Sequence, residues 1–155
     1  MEAADQHIYQ CLTKRSSRMR NYVNARYGKA GCPPHIWLGV SIESEEQLVR
    51  LAHLRQASAN VRFVSFEPLL GPIDNADLAG VHWVIVGGES GVGHRPMQAT
   101  WVRSLRDQCL AQQVAFFFKQ WGGRTPKANG NELDGQQWFE YPAYHAQWLK
   151  RQALV

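Results

Sequence analysis

Three carboxylates stand where short apolar runs stop. Glu43 follows the run His35–Ile42, Glu67 follows Val61–Phe66, and Glu89 follows Val81–Val86 and two glycines. Cations occupy matching places: Lys14 and Arg15 come after His7–Leu12, and Lys119 comes directly after Val114–Phe118. Carboxylates gathered at one mouth raise one another's pKa, which suits proton transfer, and they also suit a hard cation; lysines beside them act as counter-charges. The alternative is a set of solvated strand-end charges and structural pairs. Glu67 has the least slack, because Pro68 follows it and Val64-Ser65-Phe66 precedes it. Glu67, Glu89 and Lys119 are therefore the candidate catalytic residues. The candidate ligand-binding residues are Lys14, Ser41, Glu43, Ser65, Gly87, Gly88, Ser90, Arg95, Gln120 and Trp121. No metal ligand is assigned.

Gly87-Gly88-Glu89-Ser90-Gly91-Val92-Gly93 is the most site-like run. Glycines let a backbone approach a ligand and turn its amides toward an anion; a plain tight turn leaving a strand is the other reading. The run lacks the Gly-Lys-Ser/Thr of a phosphate loop and the spacing of the dinucleotide fingerprint. His94-Arg95-Pro96 beside it offers a guanidinium for an anion or a simple surface charge. In Phe116-Phe117-Phe118-Lys119-Gln120-Trp121, the indole is suited either to stacking on a planar ligand or to the aromatic core. His7, His35 and His82 fall at strand starts, away from these ends. Neither a Gly-x-Ser-x-Gly elbow nor a His-Glu-x-x-His pair occurs.

Positioning these groups falls to five apolar runs of the kind that form buried parallel strands, whose carboxyl ends carry the polar clusters. Between them, Met19, Tyr22, Val23, Arg26 and Tyr27 recur at helical spacing after Ser16-Ser17, and Gly28 and Gly31 stop that helix. Ser44-Glu45-Glu46-Gln47 reads as a capping box ahead of Leu48, Leu51, Ala52 and Arg55. A third helix starts at Thr100, with Val102, Leu105, Cys109 and Gln112 on one side. The stretch Pro68–Gly80 carries turn signals and predicts a loop with at most a short helix. Alternating strands and helices predict an α/β fold with about five parallel strands.

Period two separates Leu38, Val40 and Ile42 from Gly39, Ser41 and Glu43, and Val64 and Phe66 from Phe63, Ser65 and Glu67. The small and polar face either leaves room for a ligand or fills a narrow interior. Past Gly123, Asn129-Gly130 and Asp134-Gly135 around Glu132-Leu133 predict an irregular hairpin. Trp138, Phe139, Tyr141, Tyr144 and Trp148 are expected to pin this tail to the body. The division is thus 1–123 for the α/β body and 124–155 for a small C-terminal extension packed on it.

At 155 residues, 45% hydrophobic and 19% charged, the chain fits one domain with a sizeable core. No apolar stretch approaches the roughly 20 residues of a membrane span, and the polar N-terminus is unlike a signal peptide. No membrane partner and a cytoplasmic location are expected. Three widely spaced cysteines suggest neither a disulfide framework nor a zinc site. Cys11 and Cys109 read as small core residues and Cys32 as a loop thiol.

In this order, the strings Tyr9-Gln10-Cys11-Leu12-Thr13-Lys14-Arg15, Ile36-Trp37-Leu38-Gly39-Val40-Ser41-Ile42-Glu43 and Phe63-Val64-Ser65-Phe66-Glu67-Pro68-Leu69-Leu70-Gly71-Pro72 carry a resemblance. It continues through Trp83-Val84-Ile85-Val86-Gly87-Gly88-Glu89-Ser90-Gly91, Phe117-Phe118-Lys119-Gln120-Trp121-Gly122-Gly123 and Leu133-Asp134-Gly135. The chain is similar to the phage-associated three-Cys-motif family of radical-SAM-like proteins, from about His7 to Pro142. The resemblance implies the C-terminal half of such an enzyme, a partial (β/α) TIM-type barrel. Glu67, Gly87–Glu89 and Lys119 would line an S-adenosylmethionine or substrate pocket. S-adenosylmethionine and an iron–sulfur cluster are implied for a full-length relative. None of the cysteines here matches the cluster motif, so no cofactor and no activity are expected of this chain by itself, and whether it is an enzyme stays open. A homo-oligomer, or another chain completing the barrel, is the expected partner. Two alternatives differ in class. One is a divalent-metal-dependent enzyme acting on a phosphorylated substrate. The other, suggested by the net charge of +4 and Lys14-Arg15-Arg18-Arg20, is a nucleic-acid-binding module.

Overall fold

The computed structural model describes residues 1–153; 154–155, the end of the expected extension, lie outside the described residues. Five strands form one sheet: β1 (Tyr9–Thr13), β2 (Ile36–Ser41), β3 (Arg62–Phe66), β4 (Trp83–Gly87) and β5 (Ala115–Gln120). They lie in chain order, each parallel to the next. Helices α1 (Ser16–Tyr27), α2 (Val49–Arg55) and α3 (Ala99–Ala111) alternate with them. A two-stranded hairpin, β6 (Glu132–Leu133) and β7 (Gln136–Gln137), and a last helix, α4 (Ala143–Gln152), complete the chain.

The alternation read from the sequence sets the layers. Leu38, Val40, Ile42, Val64 and Phe66 join Val84, Val86, Phe116 and Phe118 in the main core. Val23 of α1, Leu51 and Leu54 of α2, and Val102, Leu105 and Cys109 of α3 close over that face. Each large side chain buried there stabilises the fold by roughly 1.5–3 kcal/mol relative to exposure. The opposite face carries a second cluster of Trp37, Val61, Phe63, Trp83 and Ile85. The tail reaches that face: Tyr144 of α4 meets Trp37 edge-on at 6.4 Å, and Tyr141 lies 5.4 Å from Trp83.

The expected loop Pro68–Gly80 contains no helix. Side chains of the third helical segment replace a helix's own bonds. Gln108 accepts from the Ala76 amide (2.8 Å) and donates to the Ile73 carbonyl (2.6 Å). Gln112 does the same for Leu78 (2.9 Å) and Ala76 (3.0 Å). Buried backbone groups need partners, and two glutamines one helical turn apart supply them.

Three local expectations need correction. Ser44 makes no side-chain cap; a short 3-10 turn at Glu45–Gln47 leads into α2, with the Gln47 amide donating to the Ser44 carbonyl at 3.0 Å. Cys11 is only half-buried, because β1 is an edge strand. Cys32 is buried rather than a loop thiol, because its residue bridges to Ala59 and seals the sheet's amino end.

The two sheet edges are unlike. Beyond β5, the Trp138–Glu140 segment adds an antiparallel rung: the Phe118 amide donates to the Trp138 carbonyl (2.8 Å), and the Glu140 amide to the Phe116 carbonyl (3.1 Å). Beyond β1, nothing among the described residues pairs.

Candidate functional site

Glu67 directly follows β3 and Lys119 is the penultimate residue of β5, with β4 between them, at the carboxyl ends of the strands. The Ser65 hydroxyl, itself buried, donates to Glu67 Oε2 at 2.8 Å, and Lys119 Nζ stands 3.1 Å from Oε1. The lysine is half exposed while the carboxylate is only 19% exposed. Two cavities meet at this pair. One, of about 460 Å³, runs over the sheet face and is lined by Gln10, Leu12, Phe63, Trp83, Phe117 and Tyr141 besides Ser65, Glu67 and Lys119. The other, of about 590 Å³, lies at the carboxyl rim against Pro68, Gly88, Glu89, Ser90, Gln120 and Pro126. A charged pair of both signs thus stands above an aromatic floor.

The remaining candidates divide. Gly88, Glu89, Ser90 and Gln120 line the rim cavity with the pair, and Gln120 Nε2 donates to the Ser90 hydroxyl at 3.3 Å. Glu43 stands apart from both cavities, held by Lys14 at 2.6 Å and Arg50 at 2.9 Å. The Ser41 hydroxyl lies 3.0 Å from both Glu43 Oε1 and the Glu67 carbonyl, so it joins the two strand ends. Burial pushes the Glu43 carboxyl up, but the bonds from Lys14, Ser41 and Arg50 outweigh it and hold the group below its ordinary range. Glu89 receives the Arg95 amide (2.8 Å) and a two-pronged guanidinium (2.8 and 2.6 Å). These bonds hold its carboxyl at about 2. Arg95 is therefore engaged with Glu89 while its side chain stays more than half exposed.

The three acids do not converge: among the described residues, no group of three or more His, Cys, Asp or Glu is placed to hold a metal ion. Trp121 turns toward the hairpin, donating its indole N–H to the Glu132 carbonyl (2.8 Å) and meeting Phe118 edge-on at 4.8 Å. The glycine run also serves the chain itself. A Cβ on Gly88 would collide with the Trp121 carbonyl, and one on Gly87 with the Glu67 carboxylate. Gly88 lets the ends of β4 and β5 pack backbone to backbone, and Gly87 makes room for the carboxylate. At Gly39, of the two readings of the small and polar face, the space goes to the interior: the Phe63 ring fills it.

A protein-family model described as Protein of unknown function (DUF5131) matches residues 1–142. The chain belongs to this family. No curated protein and no solved structure matches it. The matched span takes in the sheet, both cavities and Tyr141 of the DUF5131 chain, while α4 follows it.

Several lining residues of the DUF5131 chain escaped the sequence reading. Trp83 and Phe117 share the face of Ser65 through the register Ser65 with Ile85 and Ile85 with Phe117, so extending the period-two count to β4 and β5 finds them. Tyr141, expected only to pin the tail to the body, and Pro126, which no local pattern marks, arrive from the tail. Arg50 follows Glu43 by seven residues across a 3-10 turn, outside any helical i,i+4 rule. Half of the basic run is absorbed: Lys14 pairs with Glu43, and Arg20 donates to Asn21 and Gln56, while Arg15 and Arg18 stay exposed. Among the described residues, no helix is long and apolar enough to cross a membrane.

Proposed function

We propose that this DUF5131 chain is a ligand-binding (β/α) module, an arc of a TIM-type barrel of phage-associated, radical-SAM-like ancestry. Its pocket lies on the sheet face opposite α1–α3. The strand order β1 to β5 without reversal supports an arc rather than a doubly wound sheet. The observation that carries the reading is the Glu67–Lys119 pair, 3.1 Å apart, at the junction of two cavities and above Trp83, Phe117 and Tyr141. An amino-acid zwitterion answers both charges, its ammonium on Glu67 and its carboxylate on Lys119, while a planar base lies on the aromatic floor. S-adenosylmethionine combines those parts, and these residues fit it. When bound it supplies an activated methyl or adenosyl carbon; the chain's own residues bind its ends and hold it against the floor.

The cysteines do not fit an iron–sulfur cluster. Cys109 lies on the buried face of α3, where burial holds its thiol at about 12, and no three candidate ligands converge among the described residues. No radical step is derived for this chain. The separately paired carboxylates likewise give no support to a divalent-metal enzyme.

Isothermal titration with S-adenosylmethionine and S-adenosylhomocysteine tests the reading. Saturable binding is expected, weakened on the order of tenfold by Glu67→Gln or Lys119→Gln and unchanged by Glu43→Gln. Absence of binding to both compounds, or equal affinity in all variants, overturns it.

A further inference from the structure

β1 is an edge strand without the usual safeguards. Its sequence, Tyr9-Gln10-Cys11-Leu12-Thr13, has no charge, no proline and no bulge against β2. The Tyr9 amide donates to the His35 carbonyl at 2.8 Å, which fixes Tyr9, Cys11 and Thr13 as the residues facing β2. In a parallel ladder alternate residues face opposite neighbours. The N–H and C=O groups of Gln10 and Leu12 therefore point outward, and among the described residues neither amide has a backbone partner. The opposite edge, β5, is covered by Trp138–Glu140, so the fold closes one side of the sheet and presents the other.

An apolar groove of about 390 Å³ continues from this edge along α1, lined by Cys11, Met19, Val23, Tyr27, Ile36 and Leu38. Leu12 and Tyr22 on its border are 50% and 63% exposed. The charge around it has one sign. Helix α1 carries Arg18, Arg20 and Arg26 and no acidic residue. Arg26 is held by Glu2, whereas Arg15 and Arg18 are exposed, line the groove and make no ion pair among the described residues.

We propose that the β1 edge and the α1 groove dock an extended segment of another protein. That segment pairs parallel to β1, puts alternate apolar side chains into the groove, and brings Asp or Glu at its carboxyl end to Arg15 and Arg18. Backbone bonds at Gln10 and Leu12 supply affinity, and the arginines supply specificity. The direction continues the parallel order of the sheet: both arginines lie past the carboxyl end of β1, so a parallel strand delivers its own carboxyl end to them. A second copy of this chain is the poorer occupant. Two-fold pairing of β1 with β1 would set two acid-free α1 helices beside each other, like charge against like.

The test uses synthetic peptides of alternating Val and Thr, with a Glu cluster at the carboxyl end, a Glu cluster at the amino end, or a Lys cluster at the carboxyl end. Amide hydrogen exchange and fluorescence anisotropy are read on the whole protein. The carboxyl-end Glu peptide is expected to slow exchange at Gln10 and Leu12 and to bind roughly tenfold tighter than the Lys peptide. The double variant Arg15→Glu/Arg18→Glu, changed only at exposed positions, should invert that order. Unchanged exchange with every peptide, or an order that the double variant does not invert, overturns the proposal. Tighter binding of the amino-end Glu peptide overturns the parallel arrangement. Concentration-dependent protection of the same amides without peptide, with a dimer in sedimentation, assigns the edge to a second copy and also overturns it.

Discussion

Glu67 differs from Glu43 and Glu89 in what holds it. Glu43 has two cations and a serine, and Glu89 has the whole donor set of Arg95, so both are committed to the chain's own structure. Glu67 keeps one serine and one half-exposed lysine, and a lysine on a flexible stem can leave for a ligand at modest cost. The contrast is measurable through Glu89. Its folded pKa of about 2 lies below the ordinary 4.5, so the unfolded chain binds the proton first. The clasp's contribution is therefore complete above about 4.5 and is lost as pH falls toward 2. Carbon-detected NMR titration of the Glu89 carboxyl should give that low value. In Arg95→Gln, with the guanidinium donors gone, it should move up toward 4.5. A titration unchanged by that substitution would show that Arg95 does not hold Glu89.

Faces within elements were legible because period two is a property of each strand by itself. Leu38, Val40 and Ile42 went to the helix side, and Ser41 and Ser65 to the other, as their alternation required. Helix α3 was equally plain from Val102, Leu105 and Cys109. What a small residue makes room for is not local, and there the reading stopped. Gly39 accommodates a ring from the next strand, Gly88 a carbonyl thirty-three residues on, and Trp121 serves a hairpin that one dipeptide turn could announce but not place. Glu67 and Lys119 stand out in the sequence as a candidate acid and a candidate counter-charge; that these two pair with each other required the register of three adjacent strands. Gly39 gives a direct check. Gly39→Ala puts a methyl group into the Phe63 ring, which is only 2% exposed and must shift from its packed position. Overpacking of this kind costs about 1–3 kcal/mol, seen as a lower urea midpoint. Gly39→Ala/Phe63→Leu should lose less than the sum of the two single changes, because the smaller side chain vacates the space. Strict additivity would mean that the two residues do not share it.

For the molecule as a whole, the unequal edges decide what the tail is for. Trp138–Glu140 supplies a rung to β5, and Glu140 binds at several points: its carbonyl accepts the Trp83 indole N–H (2.8 Å) and its carboxylate accepts the Phe116 amide (2.9 Å). Phe139 stacks on Phe117 at 4.9 Å. Helix α4 adds much less, since none of its residues is buried and it meets the sheet mainly through Tyr144 and His145 on Trp37. Aromatic contacts of that sort contribute about 0.5–1.5 kcal/mol each beyond burial. A chain ending at Pro142 should therefore stay folded and unassociated, with a melting temperature lower by roughly 2–8 °C. A chain ending at Gln137 should behave differently. It strips the β5 rung, uncovers Phe117 and Trp83, and leaves the sheet with two unpaired edges, the condition under which strands recruit other chains. Sedimentation velocity at matched concentrations separates the outcomes. The longer truncation product should run as the intact chain does, and the shorter should form large species whose onset follows concentration. If both run as the intact chain does, the edge-covering role assigned to Trp138–Glu140 is removed; if both form large species, the decisive contact lies in α4 instead.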